Sequence, residues 1–409
     1  MKTSLFIISS LLLAGYLNAA ELMPFQKFTI SVDEKYIDQP LHFLVPEDHN
    51  KKSLPLIVLL HGGGGGTKPE HPLNYLKTDE EKWGGLLNRG EAVVVAPYMM
   101  KSEQPSIAWN NDGIVEEYLA NVILEAHKRF NIDPERVILM GWSMGGYGAY
   151  HIAQSYPDRF AAVIAGAGGW RASDWRNSRT GGIPLILIHG EADAVYKKRP
   201  HYTDIQEALN GYDSMKKAGV NVHLLTTPGA GHSPSEQVKK VHEAWDLVKK
   251  RKRDLTRIFL STPIVKIDKK DRGWISIDKL SPGKIMIEEQ RQVTGKRGAW
   301  KDWDFSEEEF NAFKLQSFQK KIEGAWVDAV YAGKNRFDIK TKNIAGITVR
   351  MNDKMVNFAE PIVIFVNDHK VFDEKVIPDP KLAEAWFKKR KDLGMKYDGK
   401  VSLVVKGEG

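Results

Sequence analysis

The sequence contains no cysteine, and this absence excludes several kinds of site at once. Disulfide bonds, thiolate metal sites and cysteine nucleophiles all require a thiol. A large excess of one charge is also missing, since 59 Lys and Arg residues face 52 Asp and Glu residues. The composition is that of a folded chain, because 42% of the 409 residues are hydrophobic. This length predicts two domains, or at most three.

The small excess of positive charge lies in the second part of the chain. Residues 1–250 carry 26 basic and 28 acidic side chains, whereas residues 251–409 carry 33 and 24. An arginine-rich helix and RNA-binding signatures are both missing from this part of the sequence. We therefore interpret the basic character as a solvated face, and predict no nucleic-acid partner.

Long hydrophobic runs are scarce as well, and the first 20 residues contain the most notable one. Lys2 precedes a short apolar stretch over residues 5–14, and Ala19 and Ala20 follow as a small-residue cleavage point. This pattern is typical of a secretory signal peptide. The stretch is shorter than the ~20 residues that a membrane span needs. We expect a signal peptide over 1–20, export to the periplasm or medium, and no membrane anchor.

Apolar runs and helical patterns alternate between residues 26 and 250. Two strands of an opening hairpin are predicted at 29–32 and 41–45. Nearly continuous apolar runs predict buried strands at 54–60, 92–97, 137–140, 161–165, 183–188 and 220–226. Helical spacing of apolar residues marks 114–130 and 236–250. The alternation predicts an α/β fold, a doubly wound and mostly parallel sheet, over residues 21–252.

The pattern changes to alternation with a period of two after residues 251–255. Half-buried antiparallel strands are predicted at 274–278, 284–288, 337–341, 347–351 and 362–366, with a hairpin turn at Asn367 and Asp368. Helices are predicted at 307–320, capped by Ser306, and at 381–391. We therefore expect a smaller β-rich domain over 255–409, whose role the pattern does not indicate.

An aromatic cluster in the second domain has two interpretations. Such residues form either the core of a small β domain, which we favour, or a stacking surface for sugars. The cluster consists of Trp300, Trp303, Phe305, Phe310, Phe313, Phe318 and Trp326.

The motif Gly-Trp-Ser-Met-Gly at residues 141–145 directly follows an apolar strand and opens a helix rich in small residues. A sharp strand–turn–helix arrangement exposes a serine hydroxyl at the carboxyl edge of a sheet. The helix N-terminus then directs free amides at a developing oxyanion. The motif predicts Ser143 as a nucleophile; a glycine-rich turn without chemistry is the alternative.

Five consecutive glycines follow His61 at the end of another predicted strand. In hydrolases of this architecture, such a loop supplies one oxyanion donor and the residue after the nucleophile supplies the other. Here the first donor is predicted to be the amide of Gly63, or of a residue beside it. The second is the amide of Met144. A flexible loop is an alternative, whereas a P-loop would need Gly-Lys-Ser/Thr at its end. His61 itself is expected to hold the loop.

A serine nucleophile needs a base, and His232 is the candidate among twelve histidines. It follows the predicted strand 220–226 and precedes a helix, for which Ser233 and Glu236 predict a capping box. This position brings His232 to the same carboxyl edge as Ser143.

The base needs a carboxylate to orient it, and Asp193 follows the predicted strand 183–188. Glu191 is the nearest alternative. The order Ser143, Asp193, His232 is that of α/β-hydrolases.

These motifs resemble the α/β-hydrolase superfamily, and in particular secreted esterases of the polyhydroxybutyrate-depolymerase and feruloyl-esterase type. Those esterases share an LHGxGG loop, a GxSxGG elbow, an HGxxDxxV acid loop and a GH base; here the motifs start at Leu60, Gly141, His189 and Gly231. The resemblance covers roughly residues 54–250. It implies a serine carboxylic-ester hydrolase that needs neither metal nor cofactor. The disulfides usual in secreted feruloyl esterases are impossible here.

Two other functions stay open. Catalytic domains similar to prolyl oligopeptidase share much of this pattern, which leaves a serine peptidase as an alternative. A carbohydrate- or surface-binding protein on a degenerate hydrolase scaffold is the other, and the intact set of motifs argues against it.

Loops after parallel strands line the active site of an open α/β sheet. Two such loops carry Trp109, and Trp170 with Arg171. Aromatic faces and arginines suit sugar rings and their substituents. We therefore predict these three residues as substrate contacts, and an ester attached to a carbohydrate as the substrate. Packing of the tryptophans beneath the loops is the alternative.

Overall fold

The computed structural model of the chain describes eleven segments of it. The described residues are 26–31, 38–63, 68–76, 90–99, 109, 112–168, 182–193, 205–217, 219–263, 271–292 and 315–405. The predicted signal peptide lies outside them. Within the described residues, no helix is both long enough and apolar enough to cross a membrane.

An eight-stranded sheet forms the first part of the fold, with the strand order β1-β2-β4-β3-β5-β6-β7-β8. From β3 to β8 neighbouring strands run parallel, while β1 and β2 form an antiparallel edge. The strands are β1 (Gln26–Ile30), β2 (Gln39–Leu44), β3 (Leu54–Leu60), β4 (Val93–Pro97), β5 (Ile132–Trp142), β6 (Ala162–Gly166), β7 (Leu185–Gly190) and β8 (Val222–Thr227). This arrangement confirms the predicted fold class.

Both faces of the sheet are covered, which explains the continuous apolar runs in its strands. Because successive strand residues point to opposite faces, Leu56, Val58 and Leu60 of β3 lie in one core cluster. Ile57 and Leu59 lie in the cluster on the other face. The helices of this part are α1 (Leu73–Leu76), α2 (Asp112–Arg129), α3 (Met144–Ser155), α4 (Ile205–Lys217) and α5 (Val238–Val248).

Residues after 255 build two further sheets around a core cluster of their own. One has the order β10-β11-β15-β18; the other has the order β12-β13-β14-β16-β17, with β9 paired to β13. Their strands are β9 (Arg257–Pro263), β10 (Asp271–Arg272), β11 (Ile275–Leu280), β12 (Lys284–Gln292), β13 (Leu315–Gly333), β14 (Arg336–Lys342), β15 (Ile344–Met351), β16 (Ile362–Val366), β17 (His369–Glu374) and β18 (Gly399–Val404). One helix, α6 (Pro380–Arg390), lies close to the predicted 381–391.

The helix predicted over 307–320 is wrong in its described part. Residues from Leu315 onward belong to β13, where Ser317 pairs with Gln290 of β12 and Lys320 pairs with Ile287. Pairing with a neighbouring strand overrides a local helical pattern, because strand preference depends mainly on cross-strand packing. Ser306 and the remaining residues of that prediction lie outside the described part. Of the aromatic cluster, Phe318 and Trp326 both lie on β13, where Trp326 is half-buried, and the other five residues lie outside the described part.

Candidate active site

Ser143 occupies the sharp turn between β5 and α3. Its backbone has a φ of 54° and a ψ of −116°, a combination that non-glycine residues rarely adopt. The Ser143 amide donates a hydrogen bond to the Gly166 carbonyl of the neighbouring strand β6, at 2.8 Å. This bond fixes the turn at the carboxyl edge of the sheet, as the motif predicts.

The two glycines that flank the turn are required by close backbone approach. A Cβ on Gly145 would collide with the Leu60 carbonyl at the end of β3, and one on Gly141 would collide with the Gly145 carbonyl. The start of α3 is therefore pressed directly against the end of β3. As a result, the glycine loop after β3 lies beside the turn that carries Ser143.

The side chains of Ser143, His232 and Asp193 form one chain of hydrogen bonds. Ser143 Oγ lies 2.9 Å from His232 Nε2, and His232 Nδ1 lies 2.8 Å from Asp193 Oδ2. These residues come from the carboxyl ends of β5, β8 and β7, which meet at one edge of the sheet. Asp193 is 3% exposed, whereas the His232 side chain is 43% exposed. A buried carboxylate thus faces an imidazole that is open to solvent.

Glu191, the alternative carboxylate, points elsewhere. Its Oε1 accepts a hydrogen bond from the Thr226 hydroxyl at 2.8 Å. The loop that contains both acids is tied to the His232 loop through the Ala192 amide, which donates to the Ala230 carbonyl at 2.9 Å. This arrangement brings Asp193, and not Glu191, to the histidine.

The loop of His232 is held differently from the prediction. A 3-10 turn over Ser235–Gln237 precedes α5, and the predicted capping box of Ser233 with Glu236 does not form. Glu236 instead accepts a hydrogen bond from the Gly231 amide at 2.6 Å. The Gln237 side chain donates to the Gly231 carbonyl at 2.7 Å. Both bonds hold Gly231, the residue before His232, and so fix the backbone position of that histidine.

The glycine loop after β3 is held by two side chains, one within α1 and one just before it. The Gly62 amide donates to the Tyr75 hydroxyl at 2.9 Å, and His71 Nε2 lies 3.1 Å from the Gly62 carbonyl. Gly63 faces the elbow, where a Cβ built on it would lie 3.8 Å from the Met144 Cβ. Because the Gly62 amide already has an acceptor, Gly63 is the better placed of these two donors. Met144 begins α3, where amides have no acceptor within the helix.

His61 has a structural position beneath this loop. Its Nε2 accepts a hydrogen bond from the Met99 amide at 3.1 Å, and its Nδ1 lies 2.8 Å from the Gly62 carbonyl. These partners require the proton on Nδ1. Burial lowers the pKa of His61 to about 4, since the charged ring would lose its hydration. A neutral imidazole therefore bridges the segment after β4 and the glycine loop.

The prediction of Trp109 as a substrate contact is wrong. The side chain is 1% exposed, and its Nε1 donates to the His61 carbonyl at 3.3 Å. Its indole packs so closely on α3 that a Cβ on Gly148 would collide with it. The indole supports the glycine loop from beneath and does not line the active site. Trp170 and Arg171 lie outside the described residues.

Sequence reasoning did not assign roles to Tyr75 and His71, which hold the glycine loop. The local sequence pattern does not indicate these roles, because folding of the intervening chain is what brings the two side chains to Gly62. In the described part of the chain, no group of three or more His, Asp or Glu side chains could hold a metal ion.

Comparison with known proteins supports the resemblance drawn from the motifs. A model of the prolyl oligopeptidase family matches residues 110–182, the part that contains the Ser143 turn. The bifunctional acetylxylan esterase/xylanase XynS20E of Neocallimastix patriciarum is 24% identical over 240 residues, which cover 53% of this chain and 34% of that protein. The esterase-like protein NocK of Nocardia uniformis subsp. tsuyamanensis is 30% identical over 139 residues, which cover 34% of this chain and 40% of NocK.

The matched region spans only about a third to two fifths of the length of these two relatives. Among solved structures, S-formylglutathione hydrolase FrmB from Staphylococcus aureus aligns with a TM-score of 0.45 at 17% identity. That alignment covers 57% of this chain and 98% of FrmB. The sequence matches and the sheet topology together confirm the resemblance to esterases with the α/β-hydrolase fold.

Proposed function

We propose that the chain is a serine esterase whose catalytic residues are Ser143, His232 and Asp193. The observation that carries the proposal is the pair of hydrogen bonds from Ser143 Oγ to His232 Nε2 and from His232 Nδ1 to Asp193 Oδ2. The carbonyl carbon of an ester is the electrophile that such an arrangement attacks.

In the first half of the reaction, Ser143 Oγ adds to the ester carbonyl while His232 Nε2 takes the hydroxyl proton. The negative charge that develops on the carbonyl oxygen is stabilised by the amides of Gly63 and Met144. As the carbon–oxygen bond to the alcohol breaks, His232 returns the proton to the leaving oxygen. The products of this half are the free alcohol and an acyl ester on Ser143.

In the second half, His232 takes a proton from water and the resulting hydroxide adds to the acyl carbonyl. The bond to Ser143 Oγ then breaks, and His232 reprotonates the serine as the acid leaves. Asp193 keeps the His232 proton on Nδ1 and stabilises the imidazolium in both halves. No group outside the protein, the ester and water enters this sequence.

The proposed substrates are acyl esters on carbohydrates. XynS20E, whose name includes acetylxylan esterase, supports this class. We also propose that the protein acts in the periplasm or medium, because residues 1–20 have the pattern of a signal peptide.

Replacing Ser143 by Ala tests the proposed chemistry. We expect kcat for p-nitrophenyl acetate to fall by several orders of magnitude with the fold unchanged, since the loss of a serine nucleophile costs about 10⁶-fold in a comparable triad. Asp193→Asn should lower kcat by ~10⁴-fold, because the amide favours the wrong tautomer of His232. The matched control is Glu191→Gln, which should retain wild-type activity. A Ser143→Ala variant with more than a tenth of the wild-type kcat would contradict the assignment.

The same purified protein distinguishes the substrate classes. The experiment compares hydrolysis rates on four kinds of substrate, each corrected for the rate of Ser143→Ala. These are acetylated xylan, a feruloyl sugar ester, a long-chain p-nitrophenyl ester and prolyl p-nitroanilide peptides. Turnover of the sugar esters with a higher kcat/KM than the long-chain ester supports the proposal. A preference for the anilides would instead assign the peptidase function that the partial family match allows.

A further inference from the structure

We infer that His189 is a positioning residue that holds the Asp193 carboxylate against His232. The inference rests on the proposed function, because it assigns a role within the Ser143–His232–Asp193 chain.

The geometry around one carboxylate oxygen is the starting point. Asp193 Oδ2 lies 2.8 Å from His232 Nδ1 and 3.3 Å from His189 Nε2. The same oxygen therefore faces two imidazole rings, one exposed and one buried. Because a carboxylate accepts and does not donate, the nitrogen of His189 that faces it carries a proton.

Because both side chains are buried, loss of this contact would be energetically costly. His189 is 1% exposed and Asp193 is 3% exposed. Taking a carboxylate out of water is costly unless polar partners replace its hydration. A buried N–H beside Oδ2 is such a partner, whereas an apolar side chain in its place would leave that side of the carboxylate uncompensated.

The backbone fixes His189 relative to both other residues. His189 lies on β7, where it pairs with Thr226 of β8, the strand that leads to the His232 loop. The next residue, Gly190, approaches that loop so closely that a Cβ on it would collide with the Ala230 carbonyl. The Asp193 amide donates to the Gly190 carbonyl at 3.1 Å, which closes the turn. His189 thus lies on a strand of the sheet, whereas Asp193 lies in the turn after that strand. The strand residue can therefore hold the carboxylate of the turn residue in place.

Two effects on His232 follow from this arrangement. A proton donated to Oδ2 keeps the carboxylate in one orientation, which the tautomer of His232 requires. It also offsets part of the negative charge on that oxygen, so it weakens the attraction of Asp193 for the His232 imidazolium. Loss of the donor should therefore raise the pKa of His232 and lower kcat.

The test compares His189→Leu with His189→Gln in the full chain. Leucine removes the donor, whereas the glutamine amide nitrogen can take the place of Nε2. The His232 pKa is measured by NMR titration of protein labelled with ¹³C-histidine, and its signal is assigned by its loss in His232→Gln. We expect His189→Leu to raise this pKa by about 0.5 or more. Its kcat on p-nitrophenyl acetate should fall by ~10- to 100-fold with KM unchanged, the size of loss known for outer hydrogen-bond partners of metal ligands. His189→Gln should keep both values close to wild type.

A second buried histidine provides the control for a merely structural effect. His42 on β2 is 2% exposed, and its Nε2 donates to the Pro69 carbonyl at 2.9 Å. His42→Leu should lower stability and leave the His232 titration unchanged. The inference is overturned if His232 titrates alike in wild type and His189→Leu, whatever happens to kcat, or if His189→Gln behaves like His189→Leu. Failure of the proposed function is separate, because it requires that Ser143→Ala retain activity.

Discussion

At the scale of single residues, Ser143, the proposed nucleophile, has an unfavourable backbone conformation. Its φ of 54° lies in the region that favours glycine, yet a glycine has no hydroxyl. The β6 carbonyl of Gly166 and the helix that starts at Met144 hold it there. Such a conformation costs about 1–3 kcal/mol, and the surrounding structure must supply this free energy.

This strain predicts different stabilities for two variants of Ser143. Ser143→Gly should increase the free energy of unfolding by about 1 kcal/mol relative to Ser143→Ala, because only glycine adopts the observed φ without strain. Urea denaturation followed by tryptophan fluorescence measures both variants under the same conditions. Equal stabilities, or a less stable glycine variant, would show that the turn stores no strain.

At the scale of elements, the hairpin between β16 and β17 shows how a turn sequence sets a register. Asn367 and Asp368 have φ values of 50° and 68°, as the two central residues of a type I′ turn require. The structure confirms the turn predicted at these positions. Asn367 Oδ1 also accepts a hydrogen bond from the Thr341 amide at 2.8 Å, which links the turn to the end of β14.

Asn367→Ala should therefore lower the free energy of unfolding by about 1–3 kcal/mol. The variant loses the bond to the Thr341 amide and puts a residue with little tolerance for positive φ into the turn. Asp368→Gly is the matched control and should have a smaller effect, because glycine accepts the φ of 68°. Thermal denaturation shows which of the two variants is less stable. A larger loss of stability in Asp368→Gly than in Asn367→Ala would contradict the prediction.

At the scale of the whole molecule, buried charges join the two parts of the chain. Arg253 donates to Asp392 at 2.6 Å and to Glu135 at 2.9 Å, so it contacts both parts at once. Asp158, in the turn after α3, pairs with Arg390 of α6 and accepts from the Gly273 amide. Burial opposes the charge of Arg253, but Asp392 and Glu135 outweigh it and raise its pKa. The β-rich part is thus linked by hydrogen-bonded charges to the start of β5 and to the turn after α3.

Removal of Arg253 should destabilise the protein far more than removal of an exposed arginine. Arg253→Met leaves Asp392 buried without its partner, which costs about 3–5 kcal/mol. Arg257 makes a similar pair with Asp328 at 2.7 Å, but its side chain is 66% exposed. Arg257→Met should therefore cost less than about 1 kcal/mol. Urea denaturation at pH 7 measures both, and equal losses would contradict a role for the buried cluster.

The same cluster predicts a loss of stability in acid. Burial favours the neutral form of Asp392, but Arg253, together with Arg159 and Arg390, outweighs it and lowers the pKa of the carboxyl below its ordinary value. The stability that this carboxylate contributes is complete above its unfolded pKa of about 3.9 and is lost as the pH falls through the folded value. The difference between wild type and Arg253→Met should therefore shrink below about pH 4.

The sequence by itself determined the sheet, the order of the motifs and the turn at Asn367 and Asp368. Each of these depends on local chemistry: apolar residues at strand spacing, glycines where backbones approach, and residues that tolerate positive φ. The carboxyl ends of parallel strands meet at one edge, so the positions of Ser143, Asp193 and His232 along the chain already implied their meeting.

Only the tertiary structure decided which side chains support these groups and which of them are buried. Trp109 lies beneath the glycine loop, the segment from Leu315 pairs as a strand, and Arg253 bridges two parts of the chain. All three depend on contacts between residues that are distant in sequence. A local sequence pattern does not indicate which distant residue will be contacted. His189 belongs to this class as well, since only the paired strands β7 and β8 bring it to the carboxylate.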